Sequence, residues 1–144
     1  MEILLSLIFL FFRPWKIVFT RDVSLKGKVF LETPFTPEKG DYAVFPVFRK
    51  NPYYRMFKDK LLKIDVCDEG EVLTVIGRKY YCDGFYLGEA LERDRRGNPV
   101  KNFVYSGKVP EGYFFAMGTH PRSYDSRYFG FVPKKLAKKA WRLY

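Results

Sequence analysis

The stretch GYFFAMGTHPRSYDSRYFGFVP, residues Gly112 to Pro133, is the part of the sequence that decides the fold. It opens with an aromatic run, Tyr113 to Met117, and closes with a second aromatic run that ends at Pro133. Glycine and proline bound both runs, which predicts two strands joined by a polar turn. Residues 120–127 contain one His, two Ser, one Asp and two Arg. Buried polar groups need hydrogen-bond partners, so this turn is either a loop stapled by its own polar network or a functional site.

The composition of the whole chain favours β-structure. Its 144 residues fit one domain with a core of its own. Phe and Tyr, which favour pleated surfaces, number 15 and 11, and 9 Pro and 11 Gly interrupt the chain often. We therefore expect a mainly β domain of short antiparallel strands.

The formal net charge of +10 permits nucleic acid, an anionic membrane or an acidic partner, and selects none of them. The charge is spread along the chain without a nucleic-acid-binding motif, so a basic nucleic-acid-binding domain is the weakest alternative. The two cysteines, Cys67 and Cys82, and the single histidine, His120, do not have the spacing of a zinc site. We expect no metal and no cofactor.

The N-terminal segment is strongly apolar. Nine of the ten residues from Ile3 to Phe12 are apolar, and Arg13 and Lys16 follow. Ten helical residues rise only about 15 Å, half the thickness of a bilayer core. The segment could be an anchor, an export signal, an interfacial helix or a buried first strand. We expect residues 1–19 to associate with a membrane and residues 20–144 to form the β domain. Positive charges after the apolar run favour a cytoplasmic domain, which conflicts with an exported one.

Alternation and turn residues predict strands between the N-terminal segment and the opening stretch. The lysine of the strand LLKIDV, Lys63, falls on the same face as Leu61 and Asp65. After Pro133, the spacing of Leu136, Ala140 and Leu143 predicts a short basic amphipathic helix. The predicted strands are Lys28–Glu32, Tyr42–Phe48, Leu61–Val66, Glu71–Ile76, Lys79–Cys82 and Phe103–Tyr105.

Three sequence boxes in this order resemble those of the type I signal peptidases, most closely the conjugal-transfer, pilin-processing peptidases of the TraF type. GDYAVF, Gly40 to Phe45, resembles the strand that follows the family's nucleophile. LLKIDVCDEGEVL, Leu61 to Leu73, resembles the box that carries its lysine. Val109 to Pro133 resembles the final box, whose Ser-x-Asp-Ser-Arg-aromatic-x-Gly pattern is the most specific of the three. The resemblance covers residues 29–133 and implies a signal-peptidase-like mixed β fold.

The resemblance also implies a Ser/Lys peptidase. A hydroxyl nucleophile must lose its proton to a base within about 2.6–3.2 Å, and a lysine can be that base only when it is neutral. Its ordinary pKa of about 10.4 must therefore fall through burial. By resemblance, Lys63 is the general base and Ser123 holds its amine by a hydrogen bond. Asp125 and Arg127 form an ion pair that fixes the loop, with Ser126 beside them.

The nucleophile is the point of departure from the family. In the segment Thr33 to Gly40, Phe35 falls closest to the position of the nucleophilic serine, and no serine lies between Ser24 and Ser106. Thr36 is the nearest hydroxyl, but recruiting it needs a one-residue shift, which turns a side chain to the other side of an extended segment. Whether the chain is an enzyme is therefore left open by its sequence.

Two further expectations rest on the resemblance to an exported domain. Cys67 and Cys82 could be two free thiols or one disulfide, and the resemblance favours the disulfide. His120 is expected to be a hydrogen-bonding loop residue rather than a base.

Three functions compete at this point. The first is a membrane-associated peptidase, its domain on the extracytoplasmic (periplasmic) side, that trims exported or pilin-like precursors. The second is an inactive relative that binds an extended peptide, or a secretion or conjugation partner, by strand addition. The third is the basic nucleic-acid-binding domain.

Overall fold

The computed structural model of the chain describes residues 15–19, 29–48 and 60–144. Of the expected membrane segment, only the last residues fall within these ranges. Within them, none of the helices has the length and apolar character needed to cross a bilayer. The strands are β1 (Lys16–Phe19), β2 (Val29–Glu32), β3 (Tyr42–Pro46), β4 (Lys60–Cys67), β5 (Val72–Ile76), β6 (Lys79–Cys82), β7 (Phe85–Glu89), β8 (Gly107–Lys108), β9 (Tyr113–Met117), β10 (Val132–Pro133) and β11 (Lys138–Arg142).

The strands form two antiparallel sheets, so the mainly β fold class expected from the sequence is confirmed. The larger sheet has the order β1-β2-β11-β3-β4-β9-β10, and the smaller one has the order β7-β6-β5-β8. Strands β5, β6 and β7 form a meander in the smaller sheet, in which the sequence predicts β5 and β6 but not β7. Its β6–β7 turn is Asp83-Gly84, with φ of 46° and 83°. Positive φ at both positions is typical of the tight hairpin turn that Asp-Gly favours.

Strand β4 lies in the interior of the larger sheet, and both of its faces are covered. On one face, Leu61 packs with Phe45 and Phe114. On the other face, Leu62 packs with Phe30. Strand β4 is therefore buried on both sides, and the buried residues Lys63 and Asp65 interrupt its apolar sequence.

The C-terminal segment differs from the predicted helix. Only Lys134–Leu136 form a helical turn, of the 3-10 type, and the residues after it form β11. Strand β11 fills the space between β2 and β3 and pairs with both. Ala140 is buried, whereas Leu136 and Leu143 are exposed, so the helical spacing of these three residues did not mark a buried face. Backbone pairing on both sides outweighed the weak helical pattern.

Two aromatic segments also depart from the predicted strands. Phe103–Tyr105 form no strand, and the Phe103 and Tyr105 rings pack against Phe131. The second aromatic run of the opening stretch begins as helix α1 (Ser126–Phe129), and only Val132–Pro133 pair with β9. The Asp125 side chain caps α1 by accepting a hydrogen bond from the Arg127 N–H, which explains why a helix starts there.

A disulfide joins the two sheets. Cys67 at the end of β4 is bonded to Cys82 at the end of β6, with the Cα atoms 5.6 Å apart. Both residues lie in the core between the sheets. The bond therefore fixes the end of the lysine strand against the smaller sheet.

We expect the double variant Cys67→Ala/Cys82→Ala to lose about 3 kcal/mol of unfolding free energy, because the bond closes a loop of 15 residues in the unfolded chain. Urea denaturation with and without a thiol reductant measures this loss of unfolding free energy. The reductant should destabilise the wild type by a similar amount and leave the variant unchanged. Equal stability of oxidised wild type and variant would contradict the role given to this bond.

Candidate active site

Lys63 is held in the middle of β4, opposite Ala43 of β3. Directly paired residues share a face of the sheet, so Lys63 lies on the same face as Leu61, Asp65 and Phe45. The residue is 1% exposed. Its amine is therefore inside the protein and not in water.

Ser123 lies in the loop between β9 and α1 and is also buried. The backbone of the loop fixes its position, since the Ser123 N–H donates to the His120 carbonyl at 3.0 Å and the Ser123 carbonyl accepts from Arg127 at 3.2 Å. Its side-chain Oγ has no hydrogen-bond partner among residues 15–19, 29–48 and 60–144. Buried hydroxyls are nearly always paired, so this Oγ is an exception within the part of the chain that the structure describes.

A buried ion pair holds this loop in place. The Arg127 guanidinium donates from Nε to Asp125 Oδ1 and from Nη2 to Asp125 Oδ2, both at 2.8 Å. Asp125 is 0% exposed and Arg127 2%. Burial opposes the charge on Arg127, but the hydrogen bonds and the charge of Asp125 prevail and raise the pKa of Arg127 above its ordinary value. This two-pronged geometry is the strongest form of the Arg–carboxylate interaction.

The same two residues connect the loop to its surroundings. Asp125 Oδ2 accepts the N–H of Gly118 at 3.0 Å, and Arg127 Nη1 donates to the Glu89 carbonyl of β7 at 3.0 Å. Next to them, the buried Ser126 Oγ accepts the N–H of Ala116 in β9 at 2.8 Å. The loop is therefore tied to both sheets. His120 lies at the exterior of the loop, where its Nδ1 accepts the N–H of Arg122 at 3.1 Å.

The segment that precedes the turn Gly40-Asp41 presents no serine to Lys63. Phe35 is 52% exposed, and its ring contacts the Trp15 ring edge-on, with centroids 5.7 Å apart. The Phe35 carbonyl accepts the N–H of Lys139 at 2.8 Å, and its N–H donates to Thr33 Oγ1 at 3.2 Å. Thr36 is exposed. The backbone at Phe35 is thus fixed on both sides, with the ring at the protein surface.

Thr33 was not singled out by the sequence analysis. It is 0% exposed, and its hydroxyl donates to the Lys139 carbonyl at 2.8 Å. Thr33 directly follows Glu32, the last residue of β2, so it could have been predicted as an extension of that strand. The sequence itself contains no signal for the partner of this hydroxyl, which lies on β11 at the other end of the chain.

The sequence analysis placed Asp65 on the same strand face as Lys63 but assigned it no role. It is 0% exposed and lies on the face of Lys63. Burial, helped by the hydrogen bond and the charge of the Asp68 side chain, raises the pKa of Asp65 to about 9. Burial opposes the charge on Asp68 as well, but its hydrogen bonds to Asp65 and Lys134 lower its pKa. The raised pKa favours the protonated form of Asp65 at neutral pH, while Lys134 Nζ lies 2.9 Å from Asp68 Oδ1.

Asp65 also connects β4 to the segment that carries Phe35. Its N–H donates to the Asp41 carbonyl at 2.9 Å, and its carbonyl accepts the N–H of Gly40 at 2.8 Å. The disulfide follows two residues later in the strand, and its two sulfur atoms lie near the Glu71 carboxylate. Because these sulfur atoms are bonded to each other, they are not thiolate ligands for a metal.

The buried ion pair predicts a large difference between two variants. Arg127→Met leaves the Asp125 carboxylate buried without its partner and should cost about 3 kcal/mol or more of unfolding free energy. The matched control is Lys39→Met, which removes the half-exposed pair Lys39–Glu71 and should cost less than about 1 kcal/mol. Chemical denaturation measures both. Equal losses in the two variants would contradict the role given to the buried pair.

Asp65 predicts a specific pH dependence of stability. Its folded pKa, about 9, lies above its ordinary value of 3.8, so the folded protein keeps a proton that the unfolded chain releases. This stabilising contribution is complete below about pH 4 and is lost as the pH rises through about 9. Asp65→Asn does not titrate, so its stability relative to the wild type should increase from about pH 5 to about pH 9 and then level off. Parallel stability profiles of the two proteins would exclude a protonated Asp65.

Comparisons with known proteins place the chain in a family. The family model described as "Signal peptidase, peptidase S26" matches residues 14–138. Signal peptidase I of Aquifex aeolicus (strain VF5) is 33% identical over 124 residues, which cover 85% of this chain and 44% of that protein. The chain thus spans less than half the length of this curated relative. The crystal structure of a signal peptidase I from Enterococcus faecalis V583 is 26% identical, covers 74% of this chain and 97% of that one, and has a TM-score of 0.47. The match over most of the chain shows that it belongs to the type I signal peptidase family, peptidase S26.

Proposed function

We propose that this chain receives an extended segment of an exported polypeptide at the site formed by Lys63, Ser123 and the Asp125–Arg127 loop, and that it binds this segment without serine-type cleavage. The claim that the bound segment is not cleaved rests on Phe35. It occupies the position that resembles the family's nucleophile, it has no hydroxyl, and its ring packs on Trp15 at the surface. The Phe35 side chain has no hydroxyl, so it offers an amine base no proton to remove.

The backbone around Phe35 supports the same conclusion for Thr36. Moving Thr36 into the position of Phe35 requires a one-residue shift of the chain. Such a shift breaks the hydrogen bonds that Phe35 makes with Lys139 and Thr33. It also removes the contact of the Phe35 ring with Trp15. An error of about 1 Å in the position of a reacting group already costs about 100-fold in rate.

The remaining features of the site support the binding of a polypeptide. In the signal peptidase family, the substrates implied are exported precursors, and an extended peptide can be held by backbone hydrogen bonds along a strand. The loop 118–125 is fixed by its buried ion pair, so it is preorganised before a peptide arrives. By resemblance to the TraF type, a pilin-like precursor at the extracytoplasmic face of a membrane is the substrate class that we propose.

Cleavage through Thr36 is the second candidate, and one observation favours it. Lys63 is buried and the buried Ser123 Oγ is unpartnered among the described residues, an arrangement that suits a base and the hydroxyl that orients it. A protein that only binds peptide has no chemical need for a buried amine at this position, because burying it costs solvation free energy.

A covalent probe distinguishes binding from cleavage. We expect a β-lactam-type probe that acylates activated hydroxyls to leave the wild type unlabelled, as judged by intact mass and peptide mapping. We also expect a fluorescent peptide with small residues, of the kind found in exported precursors, to bind without being cut. Lys63→Met is the matched variant, because methionine keeps the apolar stem without the amine, and it should still bind the peptide.

Labelling of Thr36 in the wild type that disappears in Lys63→Met would overturn the non-cleaving proposal and establish a threonine peptidase. Absence of both peptide binding and labelling would overturn the proposed function as a whole.

A further inference from the structure

A tight turn between β7 and β8 presents two arginines to solvent. The Gly97 N–H donates to the Asp94 carbonyl at 3.0 Å, which makes Arg95 and Arg96 the two central residues of a four-residue turn. Asp at the first position and Gly at the fourth are typical of such turns. Both arginines are exposed, and within the described part of the chain their guanidiniums have no hydrogen-bond or ion-pair partner. We call residues 92–100 the arginine hairpin.

The Asp94 side chain organises the arginine hairpin from within. Its Oδ1 accepts the N–H groups of Arg96 and Asn98, both at 2.9 Å, and its Oδ2 accepts from the Asn98 side-chain amide at 3.3 Å. An aspartate whose side chain binds the backbone two residues ahead is a common way to fix a turn. The Asp94 carboxylate therefore holds the turn together, while the side chains of the two arginines at the tip are in solvent.

Arg78 closes the base of the arginine hairpin. From the β5–β6 turn, its guanidinium donates from Nη1 to the Leu91 carbonyl at 2.6 Å and from Nη2 to the Val100 carbonyl at 2.7 Å. One planar guanidinium therefore connects the two ends of the hairpin. Surface loops are usually mobile, and a mobile loop loses conformational entropy when it binds a ligand. The hydrogen bonds at the base and the tip reduce this loss for the arginine hairpin.

The base of the arginine hairpin is attached to the candidate active site. The Leu91 N–H donates to the Tyr128 hydroxyl of α1 at 2.9 Å. In the preceding residue of α1, Arg127 Nη1 donates to the Glu89 carbonyl of β7 at 3.0 Å. Arg95 is four residues after Leu91, and an extended chain spans at most about 3.6 Å per residue, so the tip lies within about 15 Å of this attachment. A few residues of an extended polypeptide cover that distance.

The exposed charges near the site favour a ligand with carboxylates. Glu92 is exposed at the base of the hairpin, whereas Arg95 and Arg96 are exposed at its tip, and Arg122 is exposed in the loop 118–125. A guanidinium forms two parallel hydrogen bonds with a carboxylate and keeps its charge at neutral pH. Because the ligand proposed for the adjacent site is a polypeptide, the carboxylates within reach of the tip are aspartate and glutamate side chains of that polypeptide.

We propose that the arginine hairpin binds acidic side chains of the polypeptide that occupies the candidate active site, in the part of that polypeptide that flanks the bound segment. This preference rests on the proposed function, since it requires a polypeptide at the site of Lys63 and Ser123. It adds a determinant of substrate selection outside the buried site, because a polypeptide with acidic flanking residues binds more tightly than one without them. It applies whether or not the bound segment is cut.

Fluorescence anisotropy of labelled peptides tests this preference. Each peptide contains a segment of small residues, with two aspartates placed about three to six residues before or after it, and asparagines replace both aspartates in the reference peptides. With the full chain in non-ionic detergent at low salt, we expect one of the two aspartate placements to bind about fivefold more tightly than its reference, as is typical of two exposed ion pairs. Raising the salt concentration should reduce this ratio, because exposed charges are screened.

Two matched double variants locate the source of the preference. Arg95→Gln/Arg96→Gln removes both charges at the tip, and Lys138→Gln/Arg142→Gln removes two exposed charges of β11 in the other sheet. The preference for aspartate should disappear in the first variant and persist in the second. The asparagine peptides should bind the wild type and both variants with equal affinity. Circular dichroism verifies that both variants are folded.

Equal affinities of the wild type for aspartate and asparagine peptides in both placements would overturn the proposal and leave the proposed function intact. A preference that the two double variants retain or lose equally would also overturn it, because the preference would then not come from the tip. Binding of a single-stranded oligonucleotide that depends on Arg95 and Arg96, without a preference among peptides, would assign the tip to nucleic acid and overturn it as well. Failure of every peptide to bind would overturn the proposed function, and the role of the arginine hairpin with it.

Discussion

The burial of the Lys63 amine in the interior of the larger sheet is the constraint on which the rest of the site depends. A buried amine is tolerated only when its surroundings fix its position and compensate for the lost solvation. The Asp65 carboxyl on the same face is buried as well, and burial raises its pKa to about 9. The disulfide at the end of the same strand and the Asp125–Arg127 ion pair in the loop beside β9 stabilise the structure around this strand.

Much of this arrangement could be predicted from the sequence because it depends on local patterns. Strands β2, β4, β5, β6 and β9 follow from alternation and from turn residues, and the Asp83-Gly84 turn follows from its dipeptide. The polar loop was recognisable because its residues are packed into eight positions of the chain. Lys63 drew attention only through the resemblance of the box around it, since a lysine in a strand is otherwise an ordinary surface residue.

The rest could not be predicted, because it depends on residues distant in the chain. Strand β11 forms because β2 and β3 both offer unpaired backbone groups, and no local pattern in KKLAKKAWRLY carries that information. Thr33 is buried, and its hydroxyl donates a hydrogen bond to the Lys139 carbonyl, more than 100 residues away. The raised pKa of Asp65 results first from its burial and then from the nearby Asp68 side chain. Each of these features is a tertiary effect that overrides local propensity.

The central claim, that Lys63 is buried in the folded protein, can be tested by acetylation of the native chain with acetic anhydride, followed by peptide mass spectrometry. Lys60 is the internal reference, because it lies on the same strand and its side chain is 47% exposed. The account predicts that Lys60 reacts readily, whereas Lys63 reacts only when the protein is unfolded by denaturant. Modification of Lys63 at the rate of Lys60 in the native protein would place the amine in solvent and contradict the account.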